Sequence, residues 1–466
     1  MPNRPYQTDM VAEIEKLFLS GYRRVLLQCP TGGGKTRVAV QLAGRAGTKN
    51  VLYVVPTREI FVQTSVKLTS LGVEHTCLTA GKYPSLKNVY CVLAMSQTLS
   101  RRTKTQFFRD WKPNVIIIDE IHRLIDQHRL LLNLWDTPVL GMTATPVRLD
   151  GQPLSDLCPT MIVGPSIRAL QGANFLVPCR TYRAPMPDLK GLKIRRGDFE
   201  RKHMENAFLR SNIPEVVPQY WRKFALGRRT ITFSAGVRTS KKLVAAYRQA
   251  GIRAEHIDSS TSNKDRDDAL ERLRKKDIDV LCNVGLFIEG LDIIEVECVT
   301  LVVATASLAK FLQAVGRGLR LSPGTGKQDL VVIDHGGNSV RHGPIDADRD
   351  WAREGVFVGS VPVPCRACGA YRSAEVLLCA HCGWEEKHEI RYSKIAVKRS
   401  HKNRSKKTKV RPCPQWAIQV REIWQKSELE RIENGYRLPD ASCLGYAESR
   451  CRRALKKQGH QWTLAK

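Results

Sequence analysis

Cys29-Pro-Thr-Gly-Gly-Gly-Lys-Thr36 decides the fold, together with Ile116-Ile-Ile-Asp-Glu-Ile-His122 further along the chain. Ahead of the first stretch, Arg24-Val-Leu-Leu-Gln28 is a short apolar run of buried-strand character. Behind it, Val38, Ala39, Val40, Leu42 and Ala43 suit a helix packed on a sheet. Strand, glycine-rich turn and helix is the context of a phosphate-binding loop, although Cys29 stands where the general pattern has glycine. Gly32, Gly33 and Gly34 let backbone N–H groups converge, and the helix N-terminus adds partial positive charge there. Lys35 would reach the outer phosphates of ATP, and the Thr36 hydroxyl would sit on Mg2+.

A plain glycine turn would leave the second stretch unexplained. Val115-Ile-Ile-Ile118 has the composition of a buried parallel strand, and it delivers Asp119 and Glu120 at its C-terminal end, where ligands of open α/β sheets bind. One carboxylate, Asp119, can hold Mg2+ while Glu120 polarises a water for attack on the γ-phosphate.

With these residues in view, Asp119-Glu-Ile-His122 resembles the DExH box of the superfamily-two helicases, and other boxes of that family follow in order. Arg4-Pro-Tyr-Gln7 resembles the upstream element in which Gln7 would read the adenine. Val55-Pro-Thr-Arg58 and Met95-Ser-Gln-Thr-Leu99 resemble nucleic-acid contacts, implying roles for Pro56, Thr57, Arg58, Gln97 and Thr98. Gly141-Met-Thr-Ala-Thr-Pro146 resembles the coupling motif, with Thr143, Ala144 and Thr145. Ile231-Thr-Phe-Ser234 and Glu289-Gly-Leu-Asp292 match more loosely; Asp292 would face the nucleotide. Gln313-Ala-Val-Gly-Arg-Gly-Leu-Arg320 matches the final box closely. The resemblance implies that Arg317 crosses an inter-lobe cleft toward the γ-phosphate, with Gln313 and Arg320 as its companions. Gln313, Arg317 and Arg320 recur at helical spacing, so they are expected along one side of a helix.

Alternation of strands and helices predicts two tandem RecA-like parallel-sheet lobes. The expected division is lobe one over 1–165, a connector over 166–215 with a helix near Phe199–Leu209, and lobe two over 216–345. A zinc ribbon is expected at 360–385 and a basic tail at 391–466. Cys365-Arg-Ala-Cys368 and Cys379-Ala-His-Cys382 form two CxxC knuckles suited to one tetrahedral Zn2+, with Cys382 favoured over His381. A redox CxxC would stand singly beside a βαβ pattern. Asp334-His-Gly-Gly-Asn338 carries no chemistry of its own, and His335 is expected to be structural.

The chain has 466 residues and a formal charge of +30. So one-sided a balance suits a polyanion, because lysine and arginine release counterions from phosphates. Lys398–Arg411 is basic, nearly devoid of apolar residues, and reads as a linker with phosphate affinity. Fourteen cysteines without a secretory signal, and no run long enough to span a membrane, point to a reducing, cytoplasmic setting. The reading reached is an ATP-dependent DNA helicase or translocase of the bacterial and phage repair and recombination type. It would remodel forks or branched DNA, with DNA favoured over RNA and no membrane partner. The alternatives are an RNA helicase, a double-stranded DNA translocase without strand separation, and a scaffold that ATP merely switches.

Overall fold

The computed structural model describes residues 3–45, 50–79, 90–101, 111–123, 125–148, 154–195, 197–285, 293–351, 356–357, 363–372, 379 and 381–384. Asp292 and the whole of 391–466, with its basic stretch, lie outside the described residues.

The first sheet contains β1 (Arg24–Gln28), β2 (Val51–Val55), β3 (Thr76–Leu78), β4 (Cys91–Met95), β5 (Val115–Asp119), β6 (Val139–Thr143) and β7 (Thr160–Val163). Its order is β3-β4-β2-β5-β6-β1-β7, with every pairing parallel. Period-two alternation divides the strand side chains between two cores. Val25, Leu27, Tyr53, Ile117 and Leu140 face one core with the helices Pro5–Leu19 and Lys35–Gly44. Leu26, Leu52, Val54, Ile116 and Ile118 face the other, with Leu131, Leu132 and Trp111. Each such side chain contributes about 1.5–3 kcal/mol on burial, so uninterrupted apolar runs are what a sheet covered on both faces requires.

The second sheet is built from β8 (Cys179–Arg183), β11 (Thr230–Ser234), β12 (Ala254–Ile257), β13 (Val280–Asn283), β14 (Cys298–Val302) and β15 (Leu330–Asp334). Its order is β12-β13-β11-β14-β15-β8, again parallel. Between β8 and β11 lies the short antiparallel hairpin β9 (Ile194–Arg195) and β10 (Asp198–Phe199).

Residues 166–215, expected as a connector, are largely part of the second lobe. β8 is an edge strand of that sheet, and Leu170, Leu176 and Val177 enter its core. Arg180, Thr181 and Arg183 are three polar residues among the five of β8, so this edge strand reads poorly as a buried one although Thr181 and Tyr182 are buried. The expected helix appears at Arg201–Arg210 and is followed by another at Ile213–Ala225. Among the described residues, no helix is long and apolar enough to cross a membrane.

Candidate active site at the inter-lobe seam

The phosphate loop leaves the C-terminal end of β1 and enters the helix Lys35–Gly44. Gly32 and Gly34 have φ of +82° and +90°, the left-handed region in which a side chain is strained. Gly34 admits nothing larger for a second reason: an added Cβ would stand 2.2 Å from Gln7 Nε2. Gln7 is buried, and its amide donates to the Gly33 carbonyl at 3.3 Å, as does the Tyr6 hydroxyl at 2.7 Å. Lys35 Nζ donates to the Cys29 carbonyl at 3.1 Å. Cys29 is wholly buried and desolvation pushes its thiol up to about 11, so it acts here as a small apolar side chain.

Two strands away in the sheet, β5 ends in Asp119 and Glu120. Burial, with Glu120 adjacent, pushes the Asp119 carboxyl up to about 7, against the pull of Lys35. A buried carboxylate beside a half-buried one is stabilised by a divalent cation, so the donor set fits Mg2+. Glu120 has φ of +48°, an uncommon conformation that turns the chain just after the strand. Its Oε2 lies 3.3 Å from His122 Nδ1, and the same nitrogen is 2.9 Å from Thr143 Oγ1. Thr143 Oγ1 also accepts from the Thr145 N–H at 3.0 Å. Cys29 N donates to the Thr143 carbonyl, and Gln28 Nε2 to that of Ala144. Thr143, Ala144 and Thr145 are therefore bonded to the carboxylate turn on one side and to the phosphate loop on the other.

Pro56, Thr57 and Arg58 follow β2, where Thr57 caps the helix Arg58–Ser70 and Arg58 is exposed. Gln97 and Thr98 follow β4, with Gln97 exposed. His128, which the motif reading overlooked, ties these ends together. It is fully buried, with Nε2 3.2 Å from Ser96 Oγ and Nδ1 3.1 Å from the Ile121 carbonyl. Ser96 Oγ in turn donates to the Val55 carbonyl. A single histidine outside every quoted box gave no signal of this role; Ser96, one of the two neighbours it needs, is 32 residues away in sequence.

The second lobe reaches this edge through the helix Leu308–Gly316. That helix stops at Gly316, followed by a 3-10 turn over Arg317–Leu319 and an extended Arg320. Gln313, Arg317 and Arg320 thus do not line one side of one helix, as their spacing suggested; the two glycines permit the tighter turn. A Cβ on Gly316 would come within 2.9 Å of Thr31 in the phosphate loop, so the bare Gly316 backbone packs on the Thr31 side chain across the lobes. A Cβ on Gly32 would stand 3.5 Å from Arg320 Cγ, which places Arg320 against that loop. Arg317 lines a small apolar cavity beside Ile231, Phe233 and Ala314, while Gln313 is buried. Arg4 stacks its guanidinium 4.4 Å from the centre of the Phe175 ring and donates to the Gly32 carbonyl, closing the seam from the other side.

Asp334-His-Gly-Gly-Asn338 is a knot rather than a site. Asp334 accepts from the backbone N–H of Gly336 and Ser339, and Asn338 bonds both Val303 and Thr305. A Cβ on Gly336 would collide with the Val303 carbonyl at 2.0 Å. The motif fastens the ends of β14 and β15 to each other.

At the far end of the described chain, Cys365, Cys368, Cys379 and Cys382 bring all four sulfurs within 4.8 Å of one another. Two pairs, Cys365–Cys382 and Cys368–Cys379, stand at 3.8 Å. Tetrahedral Zn2+ with Zn–S of about 2.3 Å demands sulfurs about 3.8 Å apart, so the four thiols fit that ion. The knuckles are matched turns: Gly369 N donates to Cys365 O and Gly383 N to Cys379 O, with φ of +76° and +71° at the glycines. His381 is exposed and outside the cluster. The knuckles are joined to lobe two, because Ala370 forms an antiparallel bridge to Tyr182 of β8.

Fold and seam define a two-lobed P-loop nucleoside triphosphatase. Residues 1–148 match the family model of the type III restriction enzyme res subunit, and residues 212–322 that of the helicase conserved C-terminal domain. A 51.5 kDa protein of a Lactococcus phage (isolate 7-9) is 30% identical over 78% of this chain and 79% of its own length. The putative ATP-dependent helicase IRC3 of Saccharomyces cerevisiae is 25% identical over 72% of this chain, which spans only 52% of that protein. The fold is shared with the fragment of a putative HsdR subunit of a type I restriction enzyme from Vibrio vulnificus. That match has a TM-score of 0.58 at 22% identity and covers 75% of this chain and 66% of the other. It is shared too with the type ISP restriction-modification enzyme LlaBIII, at a TM-score of 0.55 and 16% identity over 72% of this chain and 28% of the other. The chain belongs to the superfamily-two helicases and is an ATP-hydrolysing enzyme of the nucleic-acid helicase and translocase class.

Proposed function

We propose that the protein is a DNA-stimulated ATPase that moves along or remodels DNA, acting on forks or branched intermediates. The observation that carries this reading is the seam itself. The phosphate loop, tied within its own lobe to the carboxylate pair and the coupling turn, meets Gly316 and Arg320 from the other lobe, so a nucleotide on that loop would bear on the inter-lobe contact. DNA is preferred because LlaBIII, which shares the fold, is seen bound to DNA, while the charge of +30 suits any nucleic acid.

In this reading Gln7 contacts the adenine, while Gly32, Gly33, Gly34 and Lys35 cradle the phosphates. Thr36 and Asp119 hold Mg2+, which supplies charge neutralisation on the phosphate oxygens. Glu120 accepts the proton of the attacking water, held in place by His122. Arg320 and Arg317, with Gln313 and Asp292, complete the site from lobe two and balance charge that develops on the γ-phosphate. Pro56, Thr57, Arg58, Gln97 and Thr98 contact the nucleic-acid strand, and Thr143, Ala144 and Thr145 relay between the two sites. Zn2+ on the four cysteines serves structure, and the segment 391–466 adds sequence-independent phosphate affinity.

The decisive experiment measures ATP turnover of the purified protein with single-stranded, double-stranded and forked DNA and with matched RNA, across salt. Stimulation greatest on forks supports remodelling, and stimulation by duplex without strand separation identifies a translocase. RNA is the competing substrate because a putative ATP-dependent RNA helicase of African swine fever virus is 31% identical over 31% of this chain. Stimulation by RNA alone overturns the DNA reading, and no turnover with any polymer overturns the motor.

A further inference from the structure

The hairpin β9–β10 is too small to hold itself together, yet it is clamped to lobe two by one carboxylate. Asp198 accepts from Thr305 Oγ1 at 3.0 Å, from the Ala306 N–H at 2.7 Å and from Lys310 Nζ at 2.7 Å. The Arg341 guanidinium covers the neighbouring Phe199 ring at 5.0 Å. Glu200 N donates to the Lys193 carbonyl, and Gly197, with φ of +77°, closes the turn. Outward from this anchor the surface is basic and partly apolar: Lys190, Lys193 and Arg195 are exposed, and Ile194 is 62% exposed.

The anchor's position gives the hairpin its meaning. Thr305 and Ala306 follow the C-terminal end of β14, and Lys310 lies in the first turn of the helix Leu308–Gly316. The other end of that helix, about 9 Å from Lys310 at 1.5 Å per residue, is Gly316, packed on Thr31 of the phosphate loop. Nine residues of regular helix therefore join the basic hairpin to the ATP seam. Thr305 is itself fixed by Asn338 of the Asp334 knot, so the near end of the helix has little freedom of its own.

We propose that Lys193 and Arg195, at the strand β9, are DNA-backbone contacts of lobe two, and that Asp198 on β10 makes them travel with the helix that abuts the phosphate loop. A change at the seam is delivered to the DNA as a displacement of Lys193 and Arg195, and DNA held by them reports back along the same helix. This rests on the reading of the chain as a DNA-stimulated ATPase.

The test uses the full-length protein and a mixed-sequence single-stranded oligodeoxynucleotide, with ATP turnover followed across salt. In the double variant Lys193→Ala, Arg195→Ala, turnover without DNA stays at the wild-type level. The DNA concentration for half-maximal stimulation rises, and its logarithmic salt slope falls by about 1.4, the share of two phosphate contacts on a single strand. An unchanged half-maximal concentration and slope overturn the contact. In Lys310→Met the slope stays as in the wild type, while maximal stimulated turnover falls severalfold; in Asp198→Ala, which also frees the hairpin, both fall. Lys310→Met spares the hairpin backbone, so wild-type maximal turnover in that variant overturns the linkage whatever Asp198→Ala does. A wild-type protein that no DNA stimulates refutes the motor reading instead, which separates the two failures.

Discussion

At the residue scale, Lys35 and Glu120 divide binding from turnover. Lys35→Ala is expected to abolish ATP binding in a fluorescent-nucleotide titration. Glu120→Gln is expected to retain binding and lose about 10^2–10^4-fold in turnover, the usual contribution of a positioned base. Wild-type turnover in Glu120→Gln removes the base from Glu120. Three other side chains set the acid limit of the fold. Burial pushes His128, His335 and His342 from 6.5 down to about 4, so each is neutral when folded. The unfolded chain binds the extra protons between those values. Stability is therefore complete above pH 6.5 and is lost as pH falls toward 4, by up to about 1.4 kcal/mol per pH unit for each ring. Denaturant midpoints measured from pH 7 to pH 5 check this, and a flat profile contradicts it. Much of the chemistry at this scale was legible, since glycines, lysine and paired carboxylates announce themselves by type and spacing. His128 was not, because its role depends on Ser96, which only the fold brings near.

At the element scale, the two buried sheets were legible from their apolar runs, whereas β8 was not. Three of its five residues, Arg180, Thr181 and Arg183, are polar, so it resembles a loop in composition. The helix Leu308–Gly316 shows the opposite error, in which periodicity carried the reading past a true end. Its apolar pattern continues through Leu319, but Gly316 and Gly318 sit where a side chain would collide with Thr31 and with Leu330. Gly316→Val should consequently hold the lobes apart: ATP turnover falls while the thermal midpoint changes little, because the new methyls press on the seam and not on either core. Thermal unfolding run beside the ATPase assay separates these effects, and a large loss of midpoint with unaltered turnover contradicts the packing argument.

At the scale of the whole molecule, the two lobes share one design and differ in what extends their edges. Lobe one presents its phosphate loop and carboxylates at the C-terminal edge of its sheet, as parallel α/β architecture dictates. Lobe two uses the same edge for the Asp334 knot, the hairpin and the helix to the seam. That these converge is a property of topology, invisible to any motif, because Asp198, Thr305 and Asn338 are separated by more than thirty residues in each step.

The bridge between Ala370 and Tyr182 makes the cysteine cluster a guard on solubility. β8 pairs with β15 on one side, and on the other its backbone is met by the knuckle segment. An edge left open invites another copy to add a strand. Strong chelators, or Cys365→Ser, should therefore raise light scattering on mild warming before ATP turnover is lost, and Zn2+ readdition should reverse the early stage. A monodisperse, soluble protein after chelation would show that β8 needs no such cover.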